Sequence, residues 1–236
     1  SLQFKKYRKQ HQAYLAEGTK IVLEVLRADV TLSHLLATPQ FLAQYPQYRE
    51  GDYQLVEVTA EELKQLGSLR QNHSVIAVVE MPETVQKSAA ASGWMLALDG
   101  INDPGNLGTI IRNADWYGID QILCSADTVD VYNPKVLSAS MGSFLRVRLQ
   151  YGPLDELLPL LDLPVYGAVL SGESVYQTAF AVRGILLIGS ESHGIREDVM
   201  PLLSQRVTIP RKGHAESLNA GVATAILLDN IARHQI

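Results

Sequence analysis

The sequence contains a single cysteine, no clustered histidines and no long apolar run. One cysteine, Cys124, excludes an intramolecular disulfide framework and a cysteine-cluster metal site, and this fits a reducing cytoplasm, where we expect the protein to reside. The histidines lack the spacing of metal ligands, so we expect no metal; they are at positions 11, 34, 73, 193, 214 and 234. No stretch approaches the roughly eighteen consecutive apolar residues of a membrane helix, so we expect no membrane contact.

The charge is acidic overall but unevenly distributed. The formal net charge of −5 by itself argues against a nucleic-acid partner. Residues 1–82 carry nine basic and nine acidic side chains, however, and the first acidic residue is preceded by four basic ones: Lys5, Lys6, Arg8 and Lys9. Aromatic and histidine side chains lie among or just after them: Tyr7, His11 and Tyr14. Such an arm either touches RNA or forms a solvated helix face.

Helix and strand patterns alternate along the first 82 residues, which we interpret as a small α/β domain. The pattern predicts a helix over 3–28 and strands over 32–37, 55–58 and 75–79. Thr59 and Glu62 form a capping-box pattern that opens a helix through Leu69. Residues 83–92 contain Lys, Gln, Ser and Ala and are typical of a linker.

The same alternation continues over 93–236, a second and larger domain. Repeated strand and helix predict a parallel sheet with helices on both faces, in the α/β class. The predicted strands are 94–98, 121–124, 145–149, 165–170, 185–188 and 207–209. The predicted helices are 107–117, 134–140 and 154–161, followed by a buried helix after Ser217.

Two turns near the end of the chain follow buried strands and carry polar residues. In open α/β sheets, ligands bind beyond the carboxyl ends of the strands, and there we expect Glu191, Ser217 and Asn219. The glycines of the first turn, Gly189 and Gly194, either permit close approach of a ligand or only make a tight turn. Ser217 is predicted to cap the helix, with Asn219 in its first turn. The chain lacks both phosphate-loop patterns, which disfavours a generic nucleotide-binding protein.

A further turn, over 99–106, leads into a helix that carries Asn106 and Arg112. By spacing alone, Arg112 would form an i,i+3 pair with Asp115, worth a few tenths of a kcal/mol.

Three segments together resemble the signature motifs of the SpoU/TrmH family of RNA ribose methyltransferases, in the SPOUT superfamily. They are Asn106-x5-Arg112 after an Asp-Pro-Gly turn, Gly-Ser-Glu-Ser-His-Gly over 189–194, and Ile209-Pro with Ser217-Leu-Asn219. The resemblance covers roughly 91–236. Residues 14–24 resemble part of the substrate-binding domain often fused to these enzymes, whose fold some ribosomal RNA-binding proteins share. The chain has Ser192 where many relatives have Gly.

The resemblance implies a deep trefoil knot in the second domain and an active site completed across a homodimer. It implies S-adenosylmethionine held in a bent conformation by the backbone of three residues: Gly189, Ile209 and Leu218. It also implies methyl transfer to a ribose 2′-hydroxyl, with five site residues: Asn106, Arg112, Glu191, Ser217 and Asn219.

The resemblance gives Arg112 the role of assisting loss of the hydroxyl proton. Because a guanidinium stays protonated in proteins, we expect Arg112 to bind the RNA phosphate and activate the 2′-hydroxyl electrostatically, rather than to act as a base. Glu191 is expected to orient this arginine. Asn106, Ser217 and Asn219 are expected to hold loops and substrate.

Two other functions remain open at this point. One is a non-catalytic RNA-binding or ribosome-assembly protein, and the other is a tRNA-directed methyltransferase of the same fold. The first domain resembles those of ribosomal-RNA-directed members, so we expect rRNA as the partner rather than tRNA.

Overall fold

A computed structural model of the chain describes residues 1–68, 72–82 and 93–233. The predicted linker 83–92, the predicted helix end at Leu69 and His234 lie outside the described residues. Of the described residues, those within Ser1–Thr84 and Asp130–Leu145 form one compact unit. Those within Val85–Val129 and Arg146–Ile236 form the second.

Helices and strands alternate along most of the described chain. The helices are α1 (Lys5–His11), α2 (Thr19–Arg27), α3 (Pro39–Gln44), α4 (Ala60–Leu66), α5 (Pro104–Trp116), α6 (Pro134–Ser140), α7 (Leu154–Leu157) and α8 (Ala220–Arg233). The strands are β1 (Ala13–Glu17), β2 (Leu32–Ala37), β3 (Gln54–Glu57), β4 (Val75–Glu80), β5 (Met95–Asp99), β6 (Gln121–Cys124), β7 (Arg148–Tyr151), β8 (Val165–Ser174), β9 (Ile185–Gly189) and β10 (Gln205–Thr208). Short 3-10 helices span Pro46–Tyr48, Ser143–Leu145, Leu158–Leu161 and Met200–Leu202.

The first unit contains a four-stranded mixed sheet in the order β1-β4-β2-β3. Strand β4 is antiparallel to both of its neighbours, and β2 is parallel to β3. The predicted capping box is confirmed: Thr59 Oγ1 accepts from the Glu62 N–H, and the Glu62 carboxylate accepts from the Thr59 N–H at 2.7 Å. These bonds satisfy two of the otherwise unpaired N–H groups at the start of α4.

The predicted helix over 3–28 is wrong, because a strand interrupts it. Gln12 takes a left-handed conformation with φ 49°, and Gly18 has φ 89°. Neither angle continues a right-handed helix. Between them, β1 pairs with β4, so that Tyr14 and Ala16 are buried beside it. Burial against the sheet therefore outweighs the helical pattern of this stretch.

Residues 130–145 pack within the first unit although the chain reaches them through the second. The guanidinium of Arg8 is buried and binds the carboxylate of Asp130 at 2.7 Å. The ring of Tyr14 stacks on Tyr132 at 4.5 Å between centroids and meets Phe144 edge-on at 6.0 Å. Burial and the neighbouring Asp130 carboxylate raise the pKa of Tyr132 to about 12. Arg8 and Tyr14 are therefore internal, so neither interpretation of the basic arm, RNA contact or a solvated helix face, holds at these two positions.

The second unit contains a six-stranded parallel sheet in the order β10-β8-β9-β5-β6-β7. The predicted α/β class and parallel sheet are confirmed. The two central strands are apolar and almost fully buried, as expected for a sheet covered on both faces. The predicted strand over 145–149 is displaced to β7, because a 3-10 helix occupies Ser143–Leu145. The predicted helix over 154–161 divides into α7 and a 3-10 turn.

Candidate functional site

The candidate site lies where β5 and β9 end side by side. Asp99 at the end of β5 is in register with Gly189 at the end of β9. After β5 the chain turns at Gly100, with φ 71°, and enters α5. Asp103 caps this helix by accepting from the Asn106 N–H at 2.8 Å. The cap places Asn106 in the first turn of α5, with its side chain largely buried.

A tight turn follows β9 and carries Glu191. Ser190 and Gly194 exchange two main-chain hydrogen bonds of 3.1 and 2.9 Å, and Gly194 has φ 69°. A Cβ at Gly189 would overlap the backbone of Gly194 and Ile195. The two glycines therefore form a tight turn, and contact of Gly189 with a ligand stays a prediction. Glu191 lies on the turn with its side chain exposed at the carboxyl end of the central strands.

Glu191, Asn106 and Asn219 form one hydrogen-bond network. Glu191 Oε1 accepts from Asn106 Nδ2 at 2.9 Å and from Asn219 Nδ2 at 3.2 Å. Asn219 Nδ2 also donates to Asn106 Oδ1 at 2.7 Å. These three side chains come from three different segments of the sequence. Of the predicted polar rim, the network joins Glu191 and Asn219 but not Ser217, whose place is taken by Asn106.

Asn219, rather than Ser217, caps α8. Its Oδ1 accepts from the N–H groups of Gly221 and Val222 at 3.1 and 3.3 Å, and its carbonyl accepts from Ala223 at 2.9 Å. The predicted cap at Ser217 is wrong because the helix begins two residues later than the sequence pattern indicates. Ser217 is exposed and forms no hydrogen bond with the described residues.

The carboxylate of Glu191 also contacts the start of α8. Its Oε1 accepts from the Ala220 N–H at 3.2 Å. A negative charge at a helix N-terminus is stabilised by the unpaired N–H groups and the helix dipole. Glu191 therefore joins the turn after β9 to both helices that bound the site.

Arg112 lies one and a half turns after Asn106 on α5 and is exposed. It forms no hydrogen bond or ion pair with any of the residues that the structure describes. The predicted Arg112–Asp115 pair is wrong, because Asp115 binds Arg146 at 2.8 Å instead. The predicted orientation of Arg112 by Glu191 is likewise absent among the described residues, since the Glu191 carboxylate holds Asn106 and Asn219. The Arg112 guanidinium is consequently free to bind an anionic ligand.

The segment 209–219 returns the chain from β10 to the site. The side chain of Ile209 is half-buried and that of Leu218 is 45% exposed. Within 209–218, no main-chain N–H donates to any residue that the structure describes. This segment thus offers unbonded main-chain N–H groups beside apolar side chains, whereas its Ala215 carbonyl accepts from Arg211 Nη1 at 3.0 Å.

One pair that the sequence analysis missed, Asp99 and Arg196, fixes the turn after β9. The main-chain N–H of Arg196 donates to Asp99 Oδ2 at 2.8 Å, and the side-chain Nη2 of Arg196 lies 2.7 Å from Asp99 Oδ1. The second contact is an ion pair outside hydrogen-bond geometry. Partial burial lowers the pKa of Arg196, but the carboxylates of Asp99 and Asp127 more than offset this and hold it above its ordinary value. The sequence pattern that could have identified Asp99 is a charged residue at the end of a buried apolar strand.

Across residues 1–68, 72–82 and 93–233, no group of three His, Cys, Asp or Glu side chains could hold a metal ion. In the same residues, no helix has the length and apolar character needed to cross a bilayer.

Comparison with family models assigns both parts of the sequence. Residues 93–229 match the model of the SpoU rRNA Methylase family, which is more than half of the chain. Residues 1–77 match the MRM3-like substrate binding domain.

Individual relatives match along nearly the whole chain. A 23S rRNA (guanosine(2553)-2′-O)-methyltransferase, RlmP, from Bacillus subtilis is 29% identical over 235 residues, which is 96% of this chain and 91% of that protein. A solved structure assigned to the TrmH family of RNA methyltransferases, from Porphyromonas gingivalis, is 34% identical with a TM-score of 0.86, covering 97% of this chain and 93% of that one. The SpoU methyltransferase AviRb from Streptomyces viridochromogenes, solved in complex with AdoMet, is 25% identical with a TM-score of 0.88, covering 99% and 94%. The chain therefore belongs to the SpoU rRNA methylase family.

Proposed function

We propose that this protein transfers the methyl group of S-adenosylmethionine to a ribose 2′-hydroxyl of ribosomal RNA. The observation that carries the proposal is the Asn106–Glu191–Asn219 network at the sheet edge, with the free guanidinium of Arg112 on the same helix as Asn106. Family membership and the named 23S rRNA 2′-O-methyltransferase activity of RlmP support the same reaction, and the AdoMet bound to AviRb supports the cofactor.

The residues at the carboxyl ends of β5 and β9 fit S-adenosylmethionine. An adenosyl group needs hydrogen-bond donors and acceptors together with apolar contact, and the free backbone of 209–218 with Ile209 and Leu218 offers both. Gly189 keeps the floor of the site close to the backbone of Gly194 and Ile195. When bound, the cofactor supplies an electrophilic methyl group on a sulfonium. Positioning a ribose hydroxyl against it contributes much of the rate, because the entropic cost of encounter is avoided.

Arg112 binds the phosphate of the RNA and stabilises negative charge on the 2′-oxygen. A guanidinium cannot accept the proton, since it stays charged in proteins, so the 2′-hydroxyl proton passes to solvent water as the new C–O bond forms and the S–CH3 bond breaks. Its effect is electrostatic, and it is larger in a site that excludes water. Glu191 acts as a positioning residue, because its carboxylate holds Asn106 and Asn219 rather than Arg112. Ser217 and Asn219 complete the wall of the site.

The proposal includes a homodimer and a knotted second domain, acting in the cytoplasm. Helices α5 and α8 pack together, with Asn113 Nδ2 donating to the Gly221 carbonyl at 2.8 Å. Each leaves a large apolar side chain outside: Trp116 is 84% exposed and Val222 48%. Exposed apolar surface of this kind supports an interface with a second copy. The return of 209–219 from the edge strand β10 to the centre of the sheet supports the knot.

The first test is methyl transfer from tritiated S-adenosylmethionine to rRNA, ribosomal subunits and tRNA from cells that lack this gene. Digestion to nucleosides should place the label in one 2′-O-methylnucleoside of rRNA. Arg112→Ala should reduce kcat at least a hundredfold while cofactor binding persists. Arg183→Ala is the matched control, because Arg183 is exposed in the same unit and forms no bond with the described residues.

Each other outcome of this test would contradict a different part of the proposal. Label on a base would contradict ribose chemistry, and label confined to tRNA would contradict the rRNA assignment. Cofactor binding without any label in these RNAs would favour a non-catalytic RNA-binding protein. Full turnover by Arg112→Ala would contradict the role given to that residue.

A further inference from the structure

We propose that helix α1 carries a contact surface for single-stranded RNA, the α1 patch, and this inference rests on the proposed function. The α1 patch consists of five residues: Phe4, Lys5, Lys6, Tyr7 and Lys9. Its aromatic rings stack on unpaired bases while its lysines contact the adjoining phosphates. The surface belongs to the first unit and contains none of the residues of the methyl-transfer site.

Two aromatic side chains of the patch are open to solvent. Phe4 is 65% exposed and Tyr7 is 38% exposed, and their ring centroids lie 6.4 Å apart. Single exposed apolar residues are common on protein surfaces, but adjoining rings flanked by cations are typical of stacking platforms for single strands. The Lys6 ammonium lies 6.0 Å from the centroid of the Tyr7 ring. Aromatic and cationic side chains therefore lie next to each other on this helix.

Within residues 1–68, 72–82 and 93–233, the lysines of the patch have no acidic partner. Lys5, Lys6 and Lys9 are exposed and form no ion pair with the residues that the structure describes. No acidic residue precedes Glu17 in the sequence. In a chain of net charge −5, this local excess of positive charge favours an anionic partner at this surface.

Arg8, the buried residue of α1, orders the backbone that carries the patch. Its buried guanidinium donates to the carbonyls of Leu2 and Gln3 at 3.1 and 2.8 Å, as well as to Asp130. Gln3 in turn donates from Nε2 to the Gly67 carbonyl at 2.7 Å. The backbone that carries Phe4 and Tyr7 is thus ordered before any ligand arrives, which reduces the entropic cost of binding.

Single-stranded RNA fits the patch better than a duplex does. Bases within a helix are stacked on each other, so exposed rings can engage only bases that are unpaired or splayed out. A purely electrostatic partner, such as an acidic protein surface, would leave the two rings without a role.

The test measures binding of a fluorescein-labelled, single-stranded 20-nucleotide RNA of mixed sequence by anisotropy, over a range of salt concentrations. Lys5→Gln/Lys9→Gln should weaken binding about tenfold and lower the slope of log affinity against log salt by about 1.4, since each phosphate contact of a single strand contributes about 0.7. Phe4→Ala/Tyr7→Ala should weaken binding about tenfold with the slope unchanged. Tyr7→Phe should bind as the unaltered protein does.

The matched control is Lys64→Gln/Lys135→Gln, which removes two exposed lysines of the same unit outside the patch. It should bind RNA within twofold of the unaltered protein. Equal loss in this control and in Lys5→Gln/Lys9→Gln would overturn the patch, because overall charge would explain both. The patch would also be overturned if a 20-base-pair RNA duplex bound more tightly than the single strand. The same holds if a poly-glutamate 20-mer bound as tightly as the single-stranded RNA.

Methylation kinetics separate this inference from the proposed function. If the unaltered protein methylates rRNA, patch variants should raise KM with kcat and cofactor binding unchanged. Unchanged KM and RNA affinity in both patch variants would overturn the patch and leave the methyltransferase intact. Patch-dependent RNA binding by a protein that transfers no methyl group would leave the patch standing and overturn the proposed function.

Discussion

The guanidinium of Arg196 lies 2.7 Å from the carboxylate of Asp99, whose side chain has no exposed surface. The arginine follows the turn that carries Glu191, and the aspartate ends the central strand β5. An ionised carboxylate in a buried position is costly unless it is paired. The pair therefore stabilises the carboxyl end of β5 and fixes the turn that carries Glu191.

We expect Arg196→Ala to lower the free energy of unfolding by about 2 kcal/mol, because Asp99 would keep only one hydrogen bond from the chain at 196. Urea denaturation measures this loss, and Arg196→Lys should recover part of it. Adding Asp99→Asn to Arg196→Ala should also recover stability, since the buried charge is then gone. The control Arg183→Ala should change stability by less than about 0.5 kcal/mol. An unchanged unfolding midpoint in Arg196→Ala would mean that solvent alone satisfies Asp99.

Glu191→Ala is expected to reduce kcat strongly, on the order of a hundredfold, because Asn106 and Asn219 lose their common acceptor. Glu191→Gln keeps an oxygen at this position but removes the charge at the start of α8, so it should retain intermediate activity and lose about 0.5 kcal/mol of stability. Single-turnover kinetics with thermal unfolding on the same samples checks both values. If Glu191→Gln were no better than Glu191→Ala, the charge rather than the hydrogen bonds would be essential.

Gly189→Ala should abolish cofactor binding, since its Cβ would overlap the backbone of Gly194 and Ile195 and displace the turn. Gly93→Ala is the matched control, because a Cβ there meets nothing within 4 Å, the residue does not have a positive φ, and it lies outside the site. Calorimetry with S-adenosylmethionine measures the effect. Normal affinity in Gly189→Ala, with the protein folded, would show that the turn does not shape the cofactor site.

Cys124 should resist thiol reagents in the folded protein. Burial raises the pKa of this thiol far above its ordinary value, so the reactive thiolate is disfavoured at about pH 8. Labelling with a colorimetric disulfide reagent should follow global unfolding and become rapid in concentrated urea. Fast labelling without denaturant would indicate that β6 opens locally in the native state.

The sequence predicted those parts of the fold that depend on local pattern or on family motifs. The parallel sheet and the capping box at Thr59 were predictable because apolar runs and capping residues act over a few positions. Glu191 and Asn219 were expected at the same end of the sheet, and the structure joins them to each other and to Asn106 by hydrogen bonds, whereas Ser217 takes no part. Their roles in methyl transfer stay predictions.

Apart from the boundaries of the elements predicted over 145–149 and 154–161, the failures concern partners that are distant in sequence. Tyr14 lies in a strand because β4 and Tyr132 bury it, which no helical periodicity of residues 3–28 could indicate. Arg112 and Asp115 have helical spacing, yet Arg146 takes the aspartate. The cap of α8 moves from Ser217 to Asn219 because Glu191 and Asn106 bind Asn219. Asp99 and Arg196 are separated by 96 residues, so only the folded sheet brings them together.

The packing of 130–145 within the first unit also determines how chimaeras of this protein should be built. Exchanging only residues 1–82 for those of a relative would separate Arg8 from Asp130 and Tyr14 from the rings of Tyr132 and Phe144. A graft that keeps this unit intact must therefore transfer two pieces of sequence, the N-terminal stretch and the segment 130–145. The first unit is accordingly discontinuous in sequence, and we expect any recombination between relatives that leaves one piece behind to reduce stability.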